Sequence, residues 1–400
     1  MIGVLGFEKV IDTYSVQIDT RNPEPREEMK IAIEIGWAHK AGGARRAAFQ
    51  TLKEMARLYP DHKYQVYANS SMKGLTETPI QQKTLAPPWW APQVVWDQLL
   101  FPHAAVPRAA ARFVPDVIHF TNNMVSFGEK FPAVVSIYDM LPFVMPESFI
   151  YWHAVYQRIY FRYGVKKANR IITISNNSKE DICRILGVDE KKVHVIPLAP
   201  ELSQYKFMKE KSIKKWETAD PYILYAGAIH PRKNITKLIR VFGRLIKTKK
   251  IPHSLVIAGS FRWKSREVKE AAEKAPYRNK VLFTGRVSDE ELSELYRNCA
   301  VFVYPSLYEG FGLPVLEAMA FGVPVVTSNV SSLPEVTGDA ALLVDPGNDD
   351  EIYEAIWKIL DKPDLAAELG KKALKRAALF SWERTAREVF KVLKTAAEDI

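Results

Sequence analysis

Two glutamates eight positions apart frame the segment Pro305-Ser306-Leu307-Tyr308-Glu309-Gly310-Phe311-Gly312-Leu313-Pro314-Val315-Leu316-Glu317. A strand ends there, two glycines let the backbone approach a ligand closely, and Pro314 suits the first turn of a new helix. The amides of Phe311, Gly312 and Leu313 then point outward from a helix N-terminus, an anion site that a phosphate fits. Glu317, about one turn into the helix, is within reach of the ribose hydroxyls of a nucleotide, and Glu309 lies nearer the reacting end. A plain glycine turn with a capping acid would leave the second glutamate unexplained.

A second candidate is Gly227-Ala228-Ile229-His230-Pro231-Arg232-Lys233-Asn234, which leaves a strand of the second half. Arg232 can fork onto phosphate oxygens and Lys233 can supply a compact point charge. At the carboxyl end of a parallel strand they stand where α/β sheets bind ligands, and there they would neutralise a diphosphate leaving group. Without the glutamate loop beside it, such a pair reads as a solvated turn. The third candidate, Gly42-Gly43 followed by Arg45 and Arg46, permits a close phosphate approach or makes a purely structural turn.

The elements that must position these residues follow from apolar runs and turn residues. Residues 1–28 read as an N-terminal extension, with a polar, proline-containing stretch from Asn22 to Glu28. Met29 opens a buried strand through Ile35, and Ala44 to Leu58 is helical, with Phe49, Leu52, Met55 and Ala56 on one stripe. Further strands are expected at Tyr64–Ala68, Val117–Phe120, Ala133–Tyr138, Ile171–Ile174 and Val193–Pro197. Seven of the 25 prolines lie between Pro79 and Pro115, together with Trp89, Trp90 and Trp96. That density predicts an irregular segment broken into short pieces rather than one long helix. A lysine-rich stretch within 206–220 reads as a linker.

Beyond it, strands are expected at Tyr222–Gly227, Leu255–Gly259, Val281–Gly285, Ala300–Tyr304 and Val323–Thr327. They alternate with helices at Ile235–Lys247, Arg262–Ala275, Glu290–Asn298 and Val315–Phe321. Strands alternating with helices mean parallel sheets covered on both faces. The chain therefore reads as α/β, with two Rossmann-like, doubly wound domains at 29–205 and 221–380. A C-terminal helix over 381–400 is capped by Ser381.

Glu309 to Glu317 resembles the glutamate–seven residues–glutamate motif of glycosyltransferase family 4, retaining sugar-nucleotide transferases of GT-B fold. Matches in the same order extend from Met29 onward. They are the Gly42-Gly43 turn, Tyr138-Asp139 with Pro146-Glu147, Ile174-Ser175-Asn176, Val195-Ile196-Pro197 and Pro231 to Asn234. Leu333 to Val336 with Gly338 to Ala341 completes the set. The resemblance implies two domains facing a cleft, the first binding the acceptor and the second the nucleotide-sugar donor. It implies that Arg232 and Lys233 hold the donor diphosphate, that Glu317 takes the ribose and that Glu309 contacts the donor near the reaction centre. The base would lie near Arg286-Val287. Donor contacts would include Gly43, Tyr138, Gly310, Phe311, Gly312 and Leu313, with Asp139 among the catalytic residues. Two departures stand out: Tyr138-Asp139 replaces the His-Asp of many relatives, and Ala228 stands where relatives often place an Arg.

The implied reaction moves a hexose from a nucleotide-diphosphate sugar to a glycan or lipid-linked acceptor. Mannose from GDP-mannose is the first choice, on the resemblance of Leu333 to Pro346 to family mannosyltransferases, with UDP- or dTDP-sugars as the alternative. A nucleotide-sugar hydrolase or epimerase and a non-catalytic sugar-nucleotide binder are the readings from other classes. No Asp-x-Asp pair, Walker loop, three-glycine dinucleotide fingerprint or His-Glu-x-x-His occurs. No metal or cofactor is therefore expected, and positive side chains would stabilise the leaving group.

Net charge is +10 over 400 residues, hydrophobic residues make up 47% and cysteines number two. A disulfide scaffold is excluded, and a reducing compartment is implied. Met1 to Phe7 make a poor signal peptide, and no run of eighteen apolar residues occurs. A cytoplasmic protein is expected, or one on the cytosolic membrane face. The basic charge suits diphosphate and surface roles better than nucleic acid. Trp152, Tyr156, Ile159, Tyr160 and Tyr163 fall on one helical face beside Arg158, Arg162 and Lys166; such a helix either lies on an anionic membrane surface or packs on the sheet with its basic residues solvated.

Overall fold

The computed structural model describes residues 28–36, 43–70, 80–126, 129–200, 221–262 and 264–399. Positions 1–27 of the expected extension, Gly42 of the glycine turn and the expected linker at 206–220 lie outside the described residues.

Two all-parallel sheets carry the chain. The first holds β1 (Lys30–Ile35), β2 (Lys63–Ala68), β3 (Ile80–Thr84), β4 (Val117–Phe120), β5 (Ala133–Ser136), β6 (Arg170–Thr173) and β7 (Val193–Val195), in the order β3-β2-β1-β4-β5-β6-β7. The second holds β8 (Tyr222–Ala226), β9 (Ser254–Ala258), β10 (Val281–Gly285), β11 (Val301–Tyr304), β12 (Val325–Ser328) and β13 (Leu342–Val344), in the order β10-β9-β8-β11-β12-β13. The central strands are apolar and buried throughout, as strands covered on both faces require. In each sheet the strand order reverses beside the first strand, at β1 and at β8. Loops at the carboxyl ends of those strands part there and leave a crevice.

The helices that matter for the site are α1 (Gly43–Leu58), α2 (Tyr151–Lys167) and α3 (Asn176–Leu186) on the first sheet. On the second sheet they are α4 (Ile235–Lys249), α5 (Arg266–Glu273), α6 (Asp289–Asn298) and α7 (Leu313–Ala320). Caps fix their starts: Ser175 Oγ accepts from the Ser178 amide, and Ser288 with Glu291 closes a capping box on α6. The last helix, α8 (Trp382–Glu398), starts at Ser381, whose Oγ accepts from the Arg384 amide. It does not stay with the second sheet. Ala386, Val389, Phe390, Leu393 and Ala396 share one core with Leu52, Met55 and Ala56 of α1, and Phe390 stacks on Tyr59 at 3.8 Å between ring centres.

Three expectations are corrected. The proline-rich stretch contains β3, and then a helical path runs unbroken through Gln93–Val95, Trp96–Ala105 and Val106–Phe113. Its middle section has the wider π winding with Pro102 inside, where the missing amide and the ring are accommodated. The helix expected over Arg262–Ala275 is only Arg266–Glu273, because Lys264 takes a left-handed φ of 59°. On α2, Tyr160 is buried and stacks against His103, while Trp152 and Ile159 are exposed. The aromatic residues thus do not form one outward face. Arg158 donates from Nε to the Pro142 carbonyl at 2.8 Å and lies over the Phe143 ring.

Candidate active site

The crevice between the sheets is a cleft of about 910 Å³ lined from both halves. From the first come the start of α1 and the residues after β5; from the second come the loops after β8, β9, β10 and β11. It receives Glu309, Lys233, Arg232, Asp139, Gly43, Tyr138, Arg286, Val287, Gly310, Phe311, Gly312, Leu313 and Glu317. Every residue named as a catalytic or donor contact thus lies along this one cleft.

One end is a buried charge cluster. Glu309 Oε1 accepts from Ser306 Oγ at 2.6 Å and pairs with Arg232 Nη1 at 2.8 Å and with Lys233 Nζ. Lys233 also donates to the Tyr304 hydroxyl, and Arg232 to the Tyr308 carbonyl at 2.7 Å. All three charged side chains are largely buried. Burial opposes the charge on Glu309, but Arg232 and Lys233 outweigh it and hold the carboxyl down at about 2. Lys233 is pushed down to about 8, first by burial and then by the neighbouring guanidinium. Burial works against Arg232 as well, yet Glu309, Tyr304 and Asp139 raise it further. Asp139 is raised by burial, although the Leu141 amide donates to its Oδ1 at 3.0 Å. Arg232 and Lys233 both bring positive charge to this end of the cleft, which suits it to an anion.

The other end is lined by carboxylates. Glu317 projects from α7, with Oε2 accepting from the Tyr296 hydroxyl at 3.1 Å. Its Oε1 is met from the opposite half by Arg46 Nη1 at 3.2 Å, and Arg46 Nη2 reaches Asp289 Oδ1 at 3.3 Å. Asp289 opens α6 two residues after Val287, so its carboxylate stands beside Arg286-Val287 in the same cleft.

Between the ends the halves touch. A Cβ on Gly310 would stand 2.4 Å from the Tyr138 carbonyl oxygen and 3.0 Å from Asp139 Cβ, so only glycine fits. Gly312 begins α7 at a φ of 105°, and a Cβ there would meet Leu333 at 2.7 Å. Gly43 faces Leu313, with room for a Cβ at 3.5 Å. Tyr308 bridges the halves: its hydroxyl donates to Asp181 Oδ2 at 2.9 Å and accepts from the Met140 amide at 3.4 Å. Among the described residues no group of three or more His, Cys, Asp or Glu is placed to hold a metal ion, and no helix is long and apolar enough to cross a membrane.

Sequence reasoning missed Ser306, Tyr304, Tyr296 and Asp289, and it read Arg46 only as a neighbour of the glycine turn. Tyr304 was findable as the last residue of a strand aimed at the crevice. Asp289 was findable from its place just after Arg286-Val287.

Residues 207–376 match the family described as glycosyl transferases group 1, and residues 41–203 match glycosyltransferase family 4. The O-antigen chain mannosyltransferase B of Escherichia coli is 32% identical over 66% of this chain and 70% of its own length. The O-antigen chain mannosyltransferase RfbU of Salmonella typhimurium is 32% identical over 58% of this chain and 61% of its own. In fold, the chain is similar to Anabaena Alr3699/HepE, solved in complex with UDP and glucose. The TM-score is 0.74 at 19% identity, covering 92% of this chain and all of that one.

Proposed function

Because the chain belongs to the family 4, group 1 glycosyltransferases of GT-B fold, we propose that it transfers mannose from GDP-mannose to a glycan or lipid-linked saccharide, with retention at the anomeric carbon. The observation that carries this reading is the one cleft with two buried cations at one end and two carboxylates at the other. A nucleoside diphosphate has the complementary pattern: anionic oxygens at one end, hydroxyl and amine donors at the other.

Arg232 and Lys233 bind the diphosphate and neutralise the charge that grows on it as the glycosidic bond breaks. Glu309 holds both cations in place and lies next to the sugar. Glu317 accepts from the ribose hydroxyls. Asp289 favours guanine over uracil, because adjacent amide and amine donors on guanine match the two oxygens of one carboxylate. Asp139, on the wall of the first half, faces the acceptor. Attack from the face that the diphosphate leaves keeps the configuration, and no covalent enzyme intermediate is required. The relatives named as mannosyltransferases support the choice of sugar. UDP bound in the Anabaena protein supports a nucleotide-sugar donor of some kind.

Calorimetry with GDP-mannose, UDP-glucose and a dTDP-sugar, with and without chelator, tests the donor. Preferred binding of GDP-mannose in chelator is expected, and Asp289→Ala is expected to erase the preference for GDP over UDP. Tighter binding of a UDP-sugar would reject the donor assignment. Hydrolysis at a rate indifferent to added glycans would instead indicate a hydrolase.

A lipid-linked acceptor would be met through the exposed Ile150, Tyr151, Trp152 and Ile159, close in sequence to Arg162, Lys166 and Lys167. Co-sedimentation with vesicles rich in anionic lipid is expected to fall with added salt and with Trp152→Ser. Equal pelleting with neutral vesicles would remove the membrane from the proposal.

A further inference from the structure

Tyr308 precedes Glu309 and is held by both halves of the molecule. Its carbonyl oxygen accepts from Arg232 Nη1 at 2.7 Å, and the Leu307 amide beside it donates to the Arg232 carbonyl at 2.8 Å. Backbone contacts thus lock this loop to the cation pair of the second half. The side chain works in the first half. Its hydroxyl donates to Asp181 Oδ2 at 2.9 Å and accepts from the Met140 amide at 3.4 Å, one residue past Asp139. Burial, with Asp139 and Asp181 nearby, pushes the hydroxyl pKa up, so it keeps its proton and can donate. Asp181 is itself fixed, with Asn177 Nδ2 on Oδ2 at 3.2 Å and Arg184 on Oδ1. One turn earlier on α3, Ser178 Oγ lies 3.2 Å from the Tyr138 carbonyl oxygen and 3.5 Å from that of Gly310. A single face of α3 therefore grips the residues on both sides of Glu309.

We propose that Tyr308 is a positioning residue: by anchoring its hydroxyl on Asp181 and Met140, it sets the register between the Arg232, Lys233 and Glu309 cluster and Asp139 across the halves. This role rests on the transferase reading, in which the cluster holds the donor diphosphate and Asp139 faces the acceptor. Tyr308 is buried behind the cleft wall rather than lining it. Removing its hydroxyl therefore leaves its carbonyl on Arg232 and every cleft-lining group in place. What is lost is the fixed distance from the donor to the acceptor wall. Transfer depends steeply on that distance, because the reacting atoms must be held within about 3–3.5 Å. Attack on the donor by water needs no such wall, since water enters from any open side.

The measurable consequence is a ratio. Transfer to a glycan and hydrolysis by water are read from one reaction mixture, with GDP-mannose, UDP-glucose or a dTDP-sugar as donor and a mannose-terminated oligosaccharide as acceptor. Unfolded enzyme contributes to neither product, so a merely structural role leaves the ratio at its wild-type value. Tyr308→Phe is expected to lower transfer relative to hydrolysis about tenfold, the scale of one buried hydrogen bond. Its affinities for GDP and UDP, by calorimetry, are expected to stay within about twofold of wild type, because the cleft-lining groups are untouched. Asp181→Ala is expected to lower the ratio similarly, and the double variant to fall no further than either single one, since both remove the same contact. An unchanged ratio in Tyr308→Phe, or additive losses in the double variant, would overturn the positioning role. So would a nucleotide affinity that falls along with transfer, which would place Tyr308 in the donor site. Failure of the transferase reading has a different signature: wild type then forms no glycan product from any of the three donors, and the positioning role falls with it.

Discussion

Lys233 is a buried ammonium with a pKa brought down to about 8 by burial and by Arg232, and it stands on a glutamate that stays ionised throughout the working range. The sign of its pH dependence follows. As pH rises through about 8 the free enzyme loses this charge, so kcat/KM falls over that interval. A bound diphosphate favours the charged form and moves the corresponding limb in kcat to higher pH. Lys233→Met is expected to lower kcat about 100-fold, the scale seen when one preorganised charge-stabilising donor is removed, and to abolish the limb near 8. A wild-type profile flat to pH 9.5 would show that Lys233 does not serve the diphosphate. Arg232, Lys233, Glu309 and Glu317 were legible because charged residues beside glycine, at the ends of predicted strands, have few structural duties there. Arg46 with Glu317 and Asp289 was not. Those pairs join residues 271 and 243 positions apart, and their meeting depends on how two separately folded sheets face each other.

At the scale of elements, α7 and the loop before it carry the tightest constraint. Gly310 is required by approach rather than by its own dihedral angles: the obstacle is the Tyr138 carbonyl oxygen, part of the backbone of the other half. Gly310→Ala therefore cannot be absorbed by a rotamer change and must push the Tyr138-Asp139 segment away from Glu309. It is expected to reduce kcat/KM more than tenfold while lowering the melting midpoint only slightly, since a local shift of this loop relieves the contact without exposing either core. A large loss of midpoint with normal activity per folded molecule would reverse that reading. The alternating strands and helices were readable because apolar runs bounded by turn residues predict buried parallel strands. β3 escaped notice because Ile80–Thr84 is a polar edge strand paired only with β2, so its sequence, Ile-Gln-Gln-Lys-Thr, lacks an apolar run. The helical path over 93–113 escaped because its prolines argue for interruption. Packing prevails instead: Trp96 against Phe101 in the wider winding, and the burial of Val106, Ala109 and Ala110 in the α-helical turns after it, hold the path together.

For the whole molecule, the decisive element is α8, which follows the second half in sequence yet completes the core of the first. Its apolar face, Val389, Phe390, Leu393 and Ala396, closes over α1, and Thr385 donates to the Pro197 carbonyl at 2.7 Å. A second tie also reaches the first half. The Glu335 carboxylate accepts from the Asn176 and Asn177 amides at 2.8 and 3.1 Å, capping the start of α3 from across the boundary. The first half thus depends on two pieces that lie in or beyond the second, so its stability is tied to that of the second. Leu393, fully buried among Leu52 and Met55, is the residue that separates the possibilities. Leu393→Ala removes apolar contact and leaves a cavity at a cost of about 2–5 kcal/mol, all of it in the first half. If the ties are weak, calorimetric melting of this variant splits into two transitions, and nucleotide bound as proposed, mainly against the second half, raises only the upper one. If α8 and Glu335 bind the halves into one cooperative unit, a single transition moves down as a whole and nucleotide raises all of it. The shared core of α8 and α1 favours the single transition, because α8 cannot leave the first half without exposing the apolar faces of both helices.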